Sequence, residues 1–116
     1  MKTENVILDK SFAFAVRIVN LYKYLIKEFK EYELSGQILA SGTSIGSNAE
    51  EAIGGVSKKD FINKIGISYK EARETLYWIR LLHATKYIDD KLSKSLMDDC
   101  EELLKILTSI LKSSKE

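Results

Sequence analysis

Not one proline occurs in the 116 residues of this chain. Proline lacks a backbone donor and clashes with the preceding turn, so without it long helices can run unkinked. The apolar spacing fits that freedom. Between Asp9 and Lys30, residues Phe12, Ala15, Val19, Tyr22, Ile26 and Phe29 recur at intervals of three and four. Phe14, Ile18, Leu21 and Leu25 make a second stripe beside them. This is helical periodicity. The two stripes together form a wider apolar face than a two-layer bundle requires.

Capping chemistry sets the boundaries. Asp9 is the expected N-cap of the first helix, the segment "EYELSG" breaks its pattern, and Ser35 is placed to cap the second. Gly54-Gly55 is a natural stop. Ser57 and Asp60 form a capping-box-like pair opening a third helix, in which Phe61, Ile65, Ala72, Leu76, Ile79 and Leu82 keep the spacing. Asp89-Asp90 opens the last, which carries Leu92, Leu96, Cys100, Leu103, Leu107 and Ile110. The expected helices are 9–30, 35–54, 58–86 and 89–113, within one domain spanning 1–116. Helices of this length span about 30 Å. Short connections make neighbours antiparallel, so the expected fold is an all-α, up-down-up-down four-helix bundle.

Composition narrows the setting. A net charge of +1 gives no global field towards nucleic acid or membrane. The lone Cys100 excludes an internal disulfide and fits a reducing compartment. The N-terminal "MKTENVILDK" lacks the apolar core of a signal peptide. The longest uncharged run, Leu34 to Ala49, is too polar to span a bilayer. The expected location is the cytoplasm, with no membrane partner. Charge is uneven all the same: residues 57–87 hold seven Lys or Arg against three acids, and residues 88–116 hold seven acids against five Lys.

The string "SGTSIGSNAEEA", residues 41–52, invites a phosphate-loop reading, but its residue types argue against one. No lysine lies between Lys30 and Lys58, Gly42 and Gly46 are four apart, and no strand precedes them. Ile38, Ile45, Ala49, Ala52 and Ile53 instead keep helical spacing, with Gly42 and Gly46 stacked on an adjoining face. Each glycine costs a helix about 1 kcal/mol relative to alanine. Close approach of a neighbouring helix at Gly42 and Gly46 would offset that cost.

Catalytic and metal chemistry find little footing. With His83 and Cys100 each alone, neither a zinc site nor a Ser-His-Asp arrangement can be assembled within one chain. His83 reads as packing, or as a charge near a helix C-terminus. Glu50, Glu51, Glu71 and Glu74 lack the Glu-x-x-His step of di-iron bundles, and salt bridges to Lys70, Arg73 or Arg80, within or between subunits, are the expected use of these acids. No catalytic residue, cofactor or metal site is expected. What remains is a stripe on the third helix: Lys59, Asn63, Gly66, Lys70, Arg73, Tyr77 and Arg80, advancing by four and three alternately. Lys59, Lys70, Arg73 and Arg80 suit phosphate contact, and Tyr77 suits stacking. The plainer alternative is a solvated helix face.

The strings "KSFAFAVRIVNLYKYL", "SGTSIGSNAEEAIGG", "SKKDFINKIGISYKEARETLYWIRLL" and "DDCEELLKILTSIL" resemble the four-helix bundle family named for proteins encoded in 23S rRNA intervening sequences. The resemblance covers nearly the whole chain. It implies a left-handed bundle assembling as a homo-pentamer. It also implies a more distant relation to the accessory variability protein of diversity-generating retroelements, which works with a reverse transcriptase and binds nucleic acid. One departure is Ala40, where family members often carry Arg; it removes a positive charge next to SGTSIG.

Two functional classes stay open. One is a non-enzymatic homo-oligomeric adaptor for RNA or DNA, for structured RNA or a retroelement ribonucleoprotein, with a reverse transcriptase or another protein as partner. The other is a structural scaffold that binds proteins and no nucleic acid. The aromatics Tyr69, Tyr77 and Trp78 exceed what one small core is expected to hold, which favours oligomerisation.

Overall fold

The computed structural model describes the backbone of residues 2–114 and the side chains of residues 6–114. Four helices carry it: α1 (Lys2–Phe29), α2 (Glu33–Ile53), α3 (Lys58–Ala84) and α4 (Asp90–Ser114). No strand occurs among the described residues. Each helix packs on the next in sequence and α4 closes on α1, in a body of 45 × 21 × 19 Å.

Helix α1 starts seven residues before Asp9, which is exposed within it and caps nothing. The reason lies in packing. Ile7, Ser11, Phe14, Ile18, Leu21 and Leu25 are all buried at alternating steps of four and three. Extending the helix upstream adds Ile7 to that stripe, which outweighs any stop at Asp9. Of the two sequence stripes, Phe14 to Leu25 is the core. The Phe12 to Phe29 stripe runs from partly buried to exposed.

Helix α2 begins two residues before Ser35, and its cap is Glu31. The Glu31 carboxylate accepts from the backbone N–H of Glu33, Leu34 and Ser35 at 3.2, 3.1 and 2.8 Å. A carboxylate at a helix N-terminus also meets the positive end of the macrodipole. Ser35 is buried, donating to Glu31 O at 2.6 Å. Ser57 accepts from Asp60 N–H at 3.1 Å at the start of α3. Asp89 accepts from Leu92 N–H at 2.8 Å at the start of α4. Helix α3 ends at Ala84, two residues short of 86, because Lys86 adopts φ 68° and turns the chain. Lys30 closes α1 likewise at φ 53°.

The helices meet through short side chains. A Cβ on Gly42 would lie against Ile18, and one on Gly46 against Ser11. Ser68 Oγ donates to Ile45 O at 2.7 Å, tying α3 to α2. Thr75 Oγ1 lies 2.8 Å from Glu71 O and 2.9 Å from Ser41 Oγ. The Glu71 carbonyl can only accept, so with its one proton given there Thr75 accepts from the Ser41 hydroxyl. Cys100 Sγ reaches Ala72 O at 3.3 Å between α4 and α3, and Arg17 Nη1 reaches Asp99 Oδ2 at 2.6 Å between α1 and α4. Among the described residues no buried side-chain N or O atom is left without a partner. No described helix is long and apolar enough to cross a membrane.

Candidate nucleic-acid interface

Helix α3 buries Ile65, Ser68, Ala72, Thr75, Ile79 and Leu82, and that choice dictates its outer face. Lys59, Asn63, Lys70, Arg73, Tyr77 and Arg80 are exposed on the opposite side, with Gly66 half-buried between them. Tyr77 is 53% exposed, its ring set edge-to-face against Trp78 with centroids 5.1 Å apart. Among the described residues, none of Lys59, Lys70, Arg73 and Arg80 has a carboxylate partner within ion-pair distance. Lys64 is different. It lies outside the stripe and pairs with Glu51 of α2 at 2.9 Å, and that hydrogen bond raises its pKa.

Within the subunit, Glu71 and Glu74 form no ion pair among the described residues. Glu74 accepts from Trp78 Nε1 at 3.2 Å instead, because Trp78 sits one turn on along the same helix. Glu71 is half-buried at the α2–α3 seam. Desolvation pushes its carboxyl above the ordinary 4.5, the charge of Glu74 adds to this, and Lys70 opposes it. Glu50 and Glu51 are exposed, and no group of three His, Cys, Asp or Glu side chains suited to a metal occurs among the described residues.

Two of the acidic residues of α4 reach α1. Asp99 pairs with Arg17, Glu102 pairs with Lys10 at 3.3 Å, and Asp98 is held by Lys94 one turn earlier at 3.0 Å. Asp90, at the start of α4, pairs instead with His83 of α3.

A second surface was legible only in part. Ser11 and Ile18 touch α2 while Lys10 and Arg17 reach α4, so Phe12, Val16 and Val19 lie on the α2 side of the outer surface of α1. Phe12 is 70% and Val16 47% exposed. The neighbouring outer flank of α2 belongs to the run 34–49, which contains no charge. By contrast, Tyr69 and Trp78 pack on the core of their own chain, so the aromatic excess sits at Phe12 rather than there.

A third feature escaped the sequence altogether. A cleft of about 810 Å³ at one end of the bundle is lined by Tyr24 and Phe29 of α1, His83 of α3, and Lys86, Tyr87, Asp89 and Asp90 around the last connection. His83 Nε2 lies 2.6 Å from Asp90 Oδ1, so the histidine ties α3 to the start of α4. Three separate segments contribute. The only local signal was an aromatic residue at the end of α1 and another after α3.

The profile of a family described as 23S rRNA-intervening sequence protein matches residues 3–109. A crystal structure of a protein of unknown function from the S23 ribosomal protein family of Bacteroides thetaiotaomicron is similar at 54% identity and TM-score 0.93. The match covers 95% of this chain and 98% of that one. Comparison with proteins of curated function finds no match.

Proposed function

The chain belongs to the 23S rRNA-intervening sequence protein family, and from that premise we propose that it is a non-enzymatic, cytoplasmic adaptor that binds nucleic acid as a homo-oligomer. The observation that carries this reading is the outer face of α3. Lys59, Lys70, Arg73 and Arg80 are exposed there without carboxylate partners among the described residues, and Tyr77 stands between them. Unpaired guanidinium and ammonium groups at helical spacing suit successive phosphates, and an exposed ring suits stacking.

In this reading each subunit is a single antiparallel, left-handed, up-down-up-down bundle. The antiparallel part is supported by the pairings Ser11–Gly46 with Ile18–Gly42, Ser68–Ile45 with Thr75–Ser41, and Ala72–Cys100 with His83–Asp90, in each of which numbers rise on one helix as they fall on its neighbour. The exposed apolar side chains Phe12 and Val16, beside an uncharged flank of α2, support self-association, since exposed apolar surface marks interfaces. The family resemblance favours five copies. Repetition would set the α3 stripe into a belt that neutralises several phosphates together. Structured RNA or a retroelement ribonucleoprotein is the proposed ligand, with a reverse transcriptase or another protein as partner.

The test is retention on RNA and DNA at low salt. Lys70→Glu with Arg73→Glu should abolish it while helicity and oligomer mass stay intact. The scaffold reading has its own support in the uncharged α1–α2 face, and a wild-type protein that holds neither nucleic acid would leave that reading in place.

A further inference from the structure

We infer that the end-of-bundle cleft takes an unpaired nucleobase from a single strand whose phosphates lie along the α3 stripe; this rests on the nucleic-acid reading above. The cleft combines two features that a purely structural aromatic cluster lacks. First, two of its three rings are open to water: Tyr24 is 43% and Phe29 45% exposed, while Tyr87 packs on the core. Burying the rings would remove apolar surface from water, so leaving them open forgoes stabilisation. Tyr24 meets Phe29 edge-on, with centroids 5.9 Å apart at 78°, and Phe29 meets Tyr87 at 5.1 Å and 89°. No two of the three are stacked face to face, so that mode of contact is not already taken among them.

Second, the rim is polar in a specific way: Asp89 and Asp90 stand there exposed. Asp89 gives Oδ1 to the Leu92 N–H and Asp90 gives Oδ1 to His83, which leaves the other oxygen of each carboxylate able to accept. An all-apolar occupant would make no use of those acceptors. A phosphate would be repelled by them. A nucleobase brings a π-face for the rings and, in cytosine, adenine or guanine, an exocyclic amine for a carboxylate. The size fits, since small-molecule sites run from about 300 to 1,000 Å³. The approach fits too. Arg80 lies one turn before Ala84, a lining residue of the cleft, and exposed Lys86 stands at its rim. The backbone of a strand can therefore stay on cations while one base turns inward.

The probes are single-stranded oligocytidylate, single-stranded oligouridylate and a blunt RNA duplex, each titrated onto the full chain. Tyr24→Leu keeps apolar bulk and removes the ring. It should weaken oligocytidylate binding about tenfold, the scale of losing one stacked base, and leave the duplex unaffected. The wild type should prefer oligocytidylate to oligouridylate. A 2-aminopurine placed in the single strand should be quenched on binding wild-type protein, a readout independent of how the variant folds. Duplex and strand losing affinity equally in Tyr24→Leu, or an unquenched 2-aminopurine on bound strand, would overturn the cleft proposal alone. Wild type retaining neither strand nor duplex would overturn the nucleic-acid reading, and the cleft proposal with it.

Discussion

A Cβ added to Gly42 would stand 2.8 Å from both Cγ1 and Cγ2 of Ile18 and 3.2 Å from its Cβ. These atoms are the root of a β-branched side chain with one strongly preferred rotamer in a helix, so it cannot swing aside. Overpacking of this kind costs about 1–3 kcal/mol, against about 1 kcal/mol of helix propensity gained. Gly42→Ala should therefore destabilise the protein, and Gly42→Leu should disrupt the α1–α2 contact. Gly66 has nothing within 4 Å of its added Cβ, so Gly66→Ala should stabilise by about 1 kcal/mol. Urea denaturation of the three variants should give that order, with Gly66→Ala above wild type and both Gly42 variants below.

Cys100 answers to pH through burial. Desolvation first, then the charges of Glu101 and Asp99, push its thiol from 9.0 up to about 12. A thiol with a raised native pKa contributes stability in full below its unfolded value, and loses it as pH rises through the native one. The expected window is pH 9 to about 12. Other groups titrate there as well, so the difference between wild type and Cys100→Ala isolates the effect. The alkaline loss of stability should be shallower in Cys100→Ala. Alkylation of the native protein near pH 8 should be slow, and unfolding should make it fast.

Much of this architecture could be read from local chemistry, and the failures share a cause. Ser57 and Asp89 were readable because each cap acts within three residues of its own position. Asp9 misled because its side chain has capping chemistry, while the decision lay with Ile7 joining a core stripe. Ser35 misled because Glu31, four residues earlier, accepts from the N–H groups of Glu33, Leu34 and Ser35 and so starts the helix two residues upstream. The α3 stripe was legible because one helix carries all of it. The cleft was not, because Tyr24, His83 and Tyr87 meet only after α1, α3 and the last connection have packed.

Lys30 and Lys86 end their helices in left-handed backbone conformations, at φ 53° and 68°. Glycine usually serves there, because a Cβ in this region clashes with the following carbonyl and costs about 1–2 kcal/mol. Lys30→Gly should stabilise the fold, by less than this because glycine is also freer when unfolded. A net gain of about 0.5–1 kcal/mol is expected, read as a rise in the urea midpoint. Lys86→Gly should do the same for folding, but it removes a cation from the rim of the cleft.

Phe12 is 70% exposed and follows Ser11, which faces Gly46 in the uncharged run 34–49 of α2. If its face joins copies of the chain, Phe12→Glu would bury an unpaired carboxylate at each contact, which costs several kcal/mol. In the isolated subunit the same side chain would simply be solvated. The expected outcome is a monomer mass by light scattering with unchanged helicity. An unchanged oligomer would move the interface elsewhere, and a monomeric wild type at micromolar concentration would end the assembly proposal.

The salt dependence of binding should count the stripe. Each phosphate neutralised releases condensed counterion, so log K falls with log salt at about 0.7 per contact on a single strand and about 0.9 on a duplex. Lys59, Lys70, Arg73 and Arg80 together predict a slope of about −3 per engaged subunit on single strands. Lys70→Gln with Arg73→Gln removes two contacts without adding repulsion, so the slope should flatten by about 1.4 per subunit. Tyr24→Leu should lower affinity on single strands and leave the slope where it was, because a stacked base displaces no counterion. Lys64→Gln should also leave the slope unchanged, since Lys64 is held by Glu51 off the stripe. A slope that responded to Lys64 as strongly as to Lys70 and Arg73 would mean diffuse attraction by any surface cation, and the α3 stripe would lose its special standing.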